Sequence, residues 1–518
     1  MINVNDHFSG HLWDPWEHLG PKRRAMLEQS WAGTFREYVL PNLPIEKIST
    51  HYSENRGRPT KELFALVGAL ILQQMHDLTD EETIEQFSFN IQWHFALDIL
   101  GVGDEETYIC LKTLWNARQV IAENGLEEQL FKDITDKFIE TFGIDVSKQR
   151  LDSVHIKSNM AKLGRIRIIS ATIKKFLVNL KRRLPALYKD LEQEIVERYK
   201  DDKSLSVFSL VKPSEAQKTL DQVAGDLYAL CQHFKEVEEI KVMSSYGLML
   251  RVLEEQCDLG DDCATPKPAR KVPSDSLQNP SDPDASYDGH KGQGYQAQIL
   301  ETWSDDDDSN PLEVITHVEA EPAHNSDAHA LIPAIEDTEA RDIAPEKLLA
   351  DTLYGSDDNL EEAAQHGVEV ISPASGKESD ATVTLGDFEI DETGAVVCCP
   401  EKHQPVETKK KKNKHTAIFE LDTCDKCPRH SQCPSRRGKR NHYVHYTDKQ
   451  MRLAKRRAKE KEDGFREVYR KRSGVEATMS FLNAKTGIKN LRVRGIRAVR
   501  YCIFLKALSA NIYRLATA

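Results

Sequence analysis

Three carboxylates in this chain stand where metal-assisted phosphate chemistry would need them. Glu476 lies in REVYRKRSGVEATMSFLNAKTGIKNLRVRGIR, residues 466–497, on an expected helix. Around it are Tyr469, Arg470, Lys471, Arg472, Lys485, Lys489, Arg492 and Arg494, so a single acid is held inside a strongly positive segment. A carboxylate flanked by phosphate-grasping cations is the combination that DNA-cutting chemistry requires. Asp152 falls in FGIDVSKQRLDSVHIKSNM, residues 142–160, where Val146, Leu151, Val154 and Ile156 fit one or two strands. Aspartate disfavours strands, so its presence in one points to a purpose other than folding. Asp351 follows Leu348, Leu349 and Ala350, at the C-terminal end of an expected buried strand. Open α/β sheets put their chemistry at that edge. With the two aspartates on neighbouring strands and Glu476 packed across from them, the three would offer hard oxygen ligands to two Mg2+ or Mn2+ ions. The blander readings are a solvated salt-bridge partner for Glu476 and a turn residue for Asp152.

The cysteines form a second constellation. Five of ten lie between Cys398 and Cys433. Cys424, Cys427 and Cys433 follow a Cys-x2-Cys-x5-Cys spacing, with Cys398 or Cys399 upstream of the lysine run that begins at Lys409. A short Cys-x2-Cys turn with a distant fourth thiolate is how tetrahedral structural zinc is held. The expected ligands are Cys399, Cys424, Cys427 and Cys433, with Cys398 the alternative to Cys399. Four protein ligands would close the site to a catalytic water. His403, His430 and His442 are possible substitutes, though lone histidines near such a cluster are usually bystanders. A chain of 518 residues with this few cysteines is not a disulfide framework.

The elements that must position these groups follow from pattern and charge. The net charge of −13 averages two opposed parts. From Pro434 to Ala518 there are 23 Lys and Arg against 6 Asp and Glu, +17, which leaves −30 for residues 1–433. A polycationic tail on an acidic body points to a phosphate-rich partner. The chain has neither the apolar run of a membrane helix nor the layout of a signal peptide, so no membrane partner and a cytoplasmic location are expected. Residues 1–50 read as an irregular leader ending in a helix or two. Residues 51–140 read as an N-terminal helical module: Arg56, Arg58 and Pro59 precede a helix through Leu63, Leu66, Val67, Leu70 and Ile71, and Thr79 with Glu82 forms a capping box. Residues 161–285 read as a helical insertion closed by a Pro-, Ser- and Asp-rich linker, 264–285, without regular structure. Strands and helices then alternate: GYQAQILETW, LEVITHVEA, a helix over 327–342, KLLADTLYGS, a helix over 357–366, and VEVISP. The acidic SDDDDSN between the first two reads as a solvated hairpin loop. This alternation predicts an α/β sheet with helices on both faces.

At these residues the chain resembles the DDE transposases of bacterial insertion sequences. The resemblance rests on LDSVHIKSN (Asp152, Ile156, Lys157, Asn159), ADTLYGS (Asp351, Tyr354, Gly355, Ser356) and YRKRSGVE, in which Tyr469, Arg472 and Glu476 keep the family's Tyr-x2-Arg-x3-Glu spacing. RGRPTKELFALVGALIL with LTDEE resembles the family's N-terminal domain. The resemblance implies an RNase H-like mixed sheet over 141–160 and 286–395, with Asp152, Asp351 and Glu476 as catalytic metal ligands. It also implies a small zinc-ribbon-like insertion over 396–445 and a basic catalytic helix region over 446–518. Tyr469, Arg472, Lys485, Arg492 and Arg494 would contact DNA. The partners implied are double-stranded DNA, as terminal inverted repeats and target, and further copies of the chain in a dimer or larger assembly, in the bacterial cytoplasm with the nucleoid. The sequence departs from the family at Asn483, where a lysine is common. Lys485 is the nearest substitute, turned about 180° from Glu476 on an ideal helix. Two other readings share these features: a non-enzymatic zinc-containing DNA-binding protein derived from a transposase, and a two-metal nuclease without strand transfer.

Overall fold

The computed structural model describes residues 2–7, 15–53, 58–199, 211–260, 263–305, 311–376 and 383–518. Its centre is a mixed sheet built on Lys148–Lys157 (β1). A helical insertion follows β1 and closes with a short hairpin, Cys257–Leu259 (β2) and Ala264–Pro266 (β3). The sheet then continues through Ser286–Asp288 (β4), Gly292–Thr302 (β5), Ile315–Pro322 (β6), Lys347–Ala350 (β7) and Glu369–Ile371 (β8). β1 lies between β5, antiparallel, and β7, parallel; β7 pairs in parallel with β8, and β5 pairs antiparallel with β6 and β4. The short parallel strands are apolar because both their faces are covered. On one face Leu151, Leu300, Leu348 and Ala350 pack on the helices Leu331–Glu339 and Asp357–Gln365, with Leu331, Ile335 and Ala363. On the other, Val154, Ile156, Ile299 and Val318 join the largest core cluster.

That cluster unites both ends of the chain. The helix Leu63–Met75 is buried at every position, as expected of a segment apolar all round. Its neighbour Asp80–Phe89 starts with the Thr79 and Glu82 capping box, both bonds of which form. The last helix, Ile496–Leu515, is buried without interruption from Tyr501 to Ile512 and packs against Leu63–Met75, the helix Leu126–Phe142 and β6. The end of the basic tail is therefore a core element, and most of the excess charge lies before it. The leader is also different from expectation. Helices begin at Pro21, and Trp16, Leu19, Phe35 and Val39 are buried in the same cluster. Pro21 opens the first of these helices and Pro41 lies inside the 3-10 turn Leu40–Asn42. Lys506, 1% exposed, ties the halves: its Nζ donates to Asp77 Oδ1 at 2.8 Å and to the Thr486 carbonyl.

Near the N-terminus, His7 Nδ1 lies 3.1 Å from Asp98 Oδ2 and its Nε2 lies 3.6 Å from Glu62 Oε2. Burial works to lower the pKa of His7, but the two carboxylates outweigh it and raise the imidazole to about 9. A raised folded-state pKa favours the fold fully below the unfolded value near 6.5, and the benefit is lost as pH rises through about 9. Thermal melts between pH 7 and 10 are expected to show a loss on the order of 2 kcal/mol that His7→Gln does not share. Parallel pH profiles of the two proteins would remove His7 from this role.

The insertion has its own core, in which Ile173, Phe176, Leu180, Leu227, Met249 and Val252 come from the helices Arg165–Arg183, Ala216–His233 and Ser244–Gln256. The segment 264–285 is not the unstructured linker its composition predicts. It contributes β3, a 3-10 turn at Ala269–Lys271 and the buried Leu277, and it ends on Asp282, which is fully buried. The Asp282 carboxylate accepts from Ser158 Oγ at 2.6 Å, Tyr295 Oη at 2.5 Å and the Gly495 N–H at 2.9 Å. Its prolines and polar residues are thus spent on tertiary contacts. In the acidic loop, Asp305 pairs with Lys148 at 2.5 Å; the other three aspartates, 306–308, and Arg56 lie outside the described residues.

After β8 come the two-stranded pair Glu389–Ile390 (β9) and Val396–Cys398 (β10), then a four-stranded antiparallel sheet. Its strands are Glu407–Lys411 (β11), Lys414–Glu420 (β12), Arg436–Arg437 (β13) and Asn441–Thr447 (β14), in the order β11-β12-β14-β13. Phe388, Val396, Ala417, Phe419, Val444 and Tyr446 form its core.

Candidate active site

The register of β1 against β7 pairs Leu151 with Ala350, so Asp152 and Asp351 are the next residues along two parallel neighbours. Strand alternation puts Arg150 and Asp152 on the face opposite Leu151, toward the C-terminal helices. Asp351 directly follows β7 because the chain turns there: the Tyr354 N–H bonds back to the Asp351 carbonyl at 3.1 Å. Ser356 then caps the helix Asp357–Gln365 by accepting from the Asn359 N–H at 3.2 Å. Tyr354, 1% exposed, donates to Gln298 Oε1 at 2.5 Å, and any side chain at Gly355 would collide with Ser372. The ADTLYGS residues around Asp351 are thus turn, cap and packing groups that hold it.

Asp152 Oδ1 accepts from the Ser153 N–H at 2.9 Å and Oδ2 accepts from Arg472 Nη1 at 2.8 Å. Burial raises its pKa above the usual carboxylate range; the Ser153 N–H and Arg472 oppose this, and the Asp351 charge adds to it. Arg472, expected at a DNA phosphate, is here the counter-charge of Asp152. Tyr469, expected at DNA, stacks on Phe465 at 5.6 Å in a small cluster with Trp303, Leu349 and Ile371, beside Arg472. Arg470–Ser473 is a 3-10 turn that runs directly into the helix Gly474–Thr486. Val475, Met479 and Leu482 anchor that helix in the main core. Glu476 is one turn beyond Arg472, exposed, and makes no ion pair or side-chain hydrogen bond among the described residues. The structure brings Asp152, Asp351 and Arg472 together, and among the described residues no hydrogen bond or ion pair ties Glu476 to them.

The remaining cations are dispersed. Arg492 donates from Nη1 to the Asp77 carbonyl at 2.8 Å and from Nη2 to Asp77 Oδ2 at 3.1 Å. Lys485 sits 5.5 Å over the Tyr513 ring, and Arg494 is exposed without an ion pair among the described residues. Asn483 accepts from the Lys489 N–H at 3.3 Å, closing the turn after the helix. The β1 end is stitched to the same loop: the Lys157 N–H donates to the Lys489 carbonyl at 3.0 Å and Asn159 Nδ2 to the Arg492 carbonyl at 3.1 Å.

Beneath the Glu476 helix is a buried charge network that sequence reading missed. Glu301, fully buried on β5, accepts from Arg150 Nε at 2.7 Å, Thr478 Oγ1 at 2.7 Å and both Arg514 Nη atoms at 3.1 and 3.0 Å. Arg150 also donates to the Lys471 carbonyl at 3.0 Å and to Glu313 Oε2 at 2.7 Å. Gly474 lies against the Arg150 guanidinium so closely that a Cβ there would collide with it. The available signal was Arg150 itself, two residues before Asp152 and therefore on the same face.

The cysteine module gathers Cys399, Cys424, Cys427 and Cys433 around one cavity of about 20 Å³, together with His403 and His430. Burial pushes the Cys424 thiol up to about 11, and the neighbouring Cys433, Cys399 and Cys427 add to it. The His403 N–H donates to Cys399 Sγ at 3.4 Å. Cys398 points elsewhere, its thiol donating to Glu389 Oε2 at 2.6 Å. Asp425, His430 and His442 bring three further donor atoms within 4.8 Å of one another. Asp425 is already engaged by Arg437 Nη2 at 2.9 Å and His442 Nε2 at 3.0 Å, and Arg437 first and His442 next lower its pKa to about 2.

No described helix is long and apolar enough to cross a membrane. A model of the transposase DDE domain matches residues 398–516, which hold the cysteine cluster and Glu476 but not Asp152 or Asp351. A second model, a transposase domain (DUF772), matches residues 34–119, the N-terminal helices. No curated protein matches the chain. One transposase model matching the N-terminal helices and a transposase DDE model matching the region of Glu476 together indicate that this α/β chain is a DDE transposase of the insertion-sequence type.

Proposed function

We propose that this chain cuts DNA at the ends of an insertion sequence and joins those ends to a target, with Asp152, Asp351 and Glu476 as the catalytic carboxylates on an RNase H-like sheet. The observation that carries the reading is that Asp152 and Asp351 directly follow the paired Leu151 and Ala350 of two parallel strands, with Asp152 bound by Arg472, one turn before Glu476. Hard carboxylate oxygens, one largely buried and in the field of the other, are the donor set that Mg2+ and Mn2+ take. Two such ions would lower the pKa of an attacking water or 3′-hydroxyl and neutralise the departing oxygen. Arg472 balances the charge of Asp152 and stands ready for a phosphate. Tyr469 walls the site on its apolar side. The basic residues before the last helix and the N-terminal helices would hold the DNA, in a dimer or larger assembly.

Purified protein incubated with terminal-repeat DNA and Mg2+ is expected to give both cut ends and joined products, neither of them in excess chelator. Cut ends without joined products would reduce the activity to that of a nuclease, and intact DNA would leave only a binding protein.

Cys399, Cys424, Cys427 and Cys433 would hold a structural Zn2+, supported by four thiols lining one cavity while Cys398 is turned to Glu389. Elemental analysis is expected to find about one zinc per chain. Cys427→Ser should release it and lower the melting temperature, because metal binding and folding of such a module are one event. Zinc-free protein whose stability Cys427→Ser leaves unchanged would end this assignment.

A further inference from the structure

We propose that the solvent-facing side of the β11-β12-β14-β13 sheet is a binding surface for single-stranded DNA, separate from the carboxylate site. Cross-strand register fixes what this side displays. Lys409 is paired with Thr416 and Thr416 with His445; Lys411 is paired with Lys414; Tyr443 is paired with both Ile418 and Arg436. Each of these rows lies on one face, because side chains alternate along a strand. The opposite face holds the buried Ala417, Phe419, Val444 and Tyr446, so this side is the outer one.

The outer face combines two features. Its cations are Lys409, Lys411, Lys414 and Arg436, all exposed. Lys409 has a partner, Glu407 at 3.1 Å, whereas Lys411, Lys414 and Arg436 make no ion pair among the described residues. Between them Tyr443 and His445 lie parallel, ring centroids 6.1 Å apart with an interplanar angle of 2°, and His445 Nδ1 is held 3.0 Å from Thr416 Oγ1. A hydrophobic core does not need this ring pair, since it stands outside the module's core. Parallel rings set among unpaired cations are how proteins hold unstacked bases and their phosphates, and a duplex keeps the base faces hidden. An acidic peptide would satisfy the lysines but not the flat rings. The surface rests on the reading of DNA as substrate, but not on which carboxylates cut it.

The test uses full-length protein, a fluorescein-labelled mixed-sequence single strand of about 20 nucleotides, longer than one binding site, and the same sequence as duplex. Anisotropy titrations over a KCl series compare the native chain, Tyr443→Ala/His445→Ala and Lys411→Gln/Lys414→Gln. The ring variant is expected to bind the single strand about tenfold more weakly and the duplex as before. The lysine variant, at exposed positions that cannot unfold the sheet, should flatten the logarithmic salt dependence for the single strand by about 0.7 per lost contact. Single-strand affinity unmoved by the ring variant, an equal loss on both probes, or an unchanged salt slope in the lysine variant would each overturn the proposal. Asp152→Ala serves as the separating control. It should bind both probes normally whatever it does to cleavage, so failure of the surface and failure of the active-site reading give different results.

Discussion

Asp152→Ala is expected to remove Mg2+-dependent cutting and joining of terminal-repeat DNA by about 10³-fold or more, while DNA binding persists. The size follows from what the side chain contributes. A carboxylate that holds metal at a two-ion site supports both the attacking and the departing oxygen, and several kcal/mol of barrier correspond to that factor. Binding should survive because Asp152 repels phosphate and its loss frees Arg472, now bound to it at 2.8 Å. Folding should survive as well. The Asp152 pKa is raised, burial being the largest cause, so its ionised form is favoured less in the folded chain than in the unfolded one. By the sign of that shift, the carboxylate opposes folding once pH exceeds its folded value, and alanine removes the penalty. Gel assays of labelled ends, anisotropy and a thermal melt check the three parts separately. Cleavage retained in this variant would take Asp152 out of the site, and cleavage lost together with binding would assign it a different role.

Part of the sheet was legible because β7 and β8 are short, apolar runs separated by a helix of ordinary period. Asp351 was found from three apolar residues before it, and β7 does end at Ala350. What could not be read was whatever depends on a distant partner. The 264–285 segment has the composition of a linker, yet Asp282 is buried because Tyr295, on the next long strand, and Ser158 and Gly495, far along the chain, supply its three donors. The last helix looked like the end of a basic tail, since Arg497, Arg500, Lys506 and Arg514 punctuate it. Local charge did not reveal that Arg514 meets Glu301, that Lys506 meets Asp77 and that Arg500 is answered by Glu128. Nor did it reveal that Arg492 meets Asp77, a partner more than 400 residues away in sequence. The choice between Cys398 and Cys399 was open to spacing alone. Only the fold separates them: Cys398 ends β10 with its thiol on Glu389, whereas Cys399 follows the strand and lines the cavity with Cys424, Cys427 and Cys433.

Glu301→Ala is expected to be the most destabilising single substitution near the site and to lower activity beyond its effect on folding. Glu301 is fully buried and is the common acceptor for Arg150, Thr478 and Arg514. These come from β1, the Glu476 helix and the last helix, so one carboxylate joins the strand of Asp152 to the helix of Glu476. Removing it leaves two guanidinium groups with little access to water and one fewer counter-charge. A broken buried pair of this kind costs about 3–5 kcal/mol, far more than the same pair would at the surface. Arg150 keeps Glu313 at 2.7 Å and the Lys471 carbonyl at 3.0 Å, but it loses the Nε bond that fixes its angle under Gly474, where the helix approaches its guanidinium too closely for any Cβ. A shift of that helix moves Arg472 and Glu476 relative to Asp152, and displacements of about 1 Å at such sites cost about 10²-fold in rate. Glu301→Gln keeps an acceptor and the volume but not the charge, so it should fall between alanine and the native chain in both measures. Urea unfolding followed by tryptophan fluorescence reads the stability, and cleavage assayed well below the unfolding midpoint reads the positioning. A loss under about 1 kcal/mol for the alanine variant would mean that water or Glu313 satisfies both arginines, and the network would then not hold the helix.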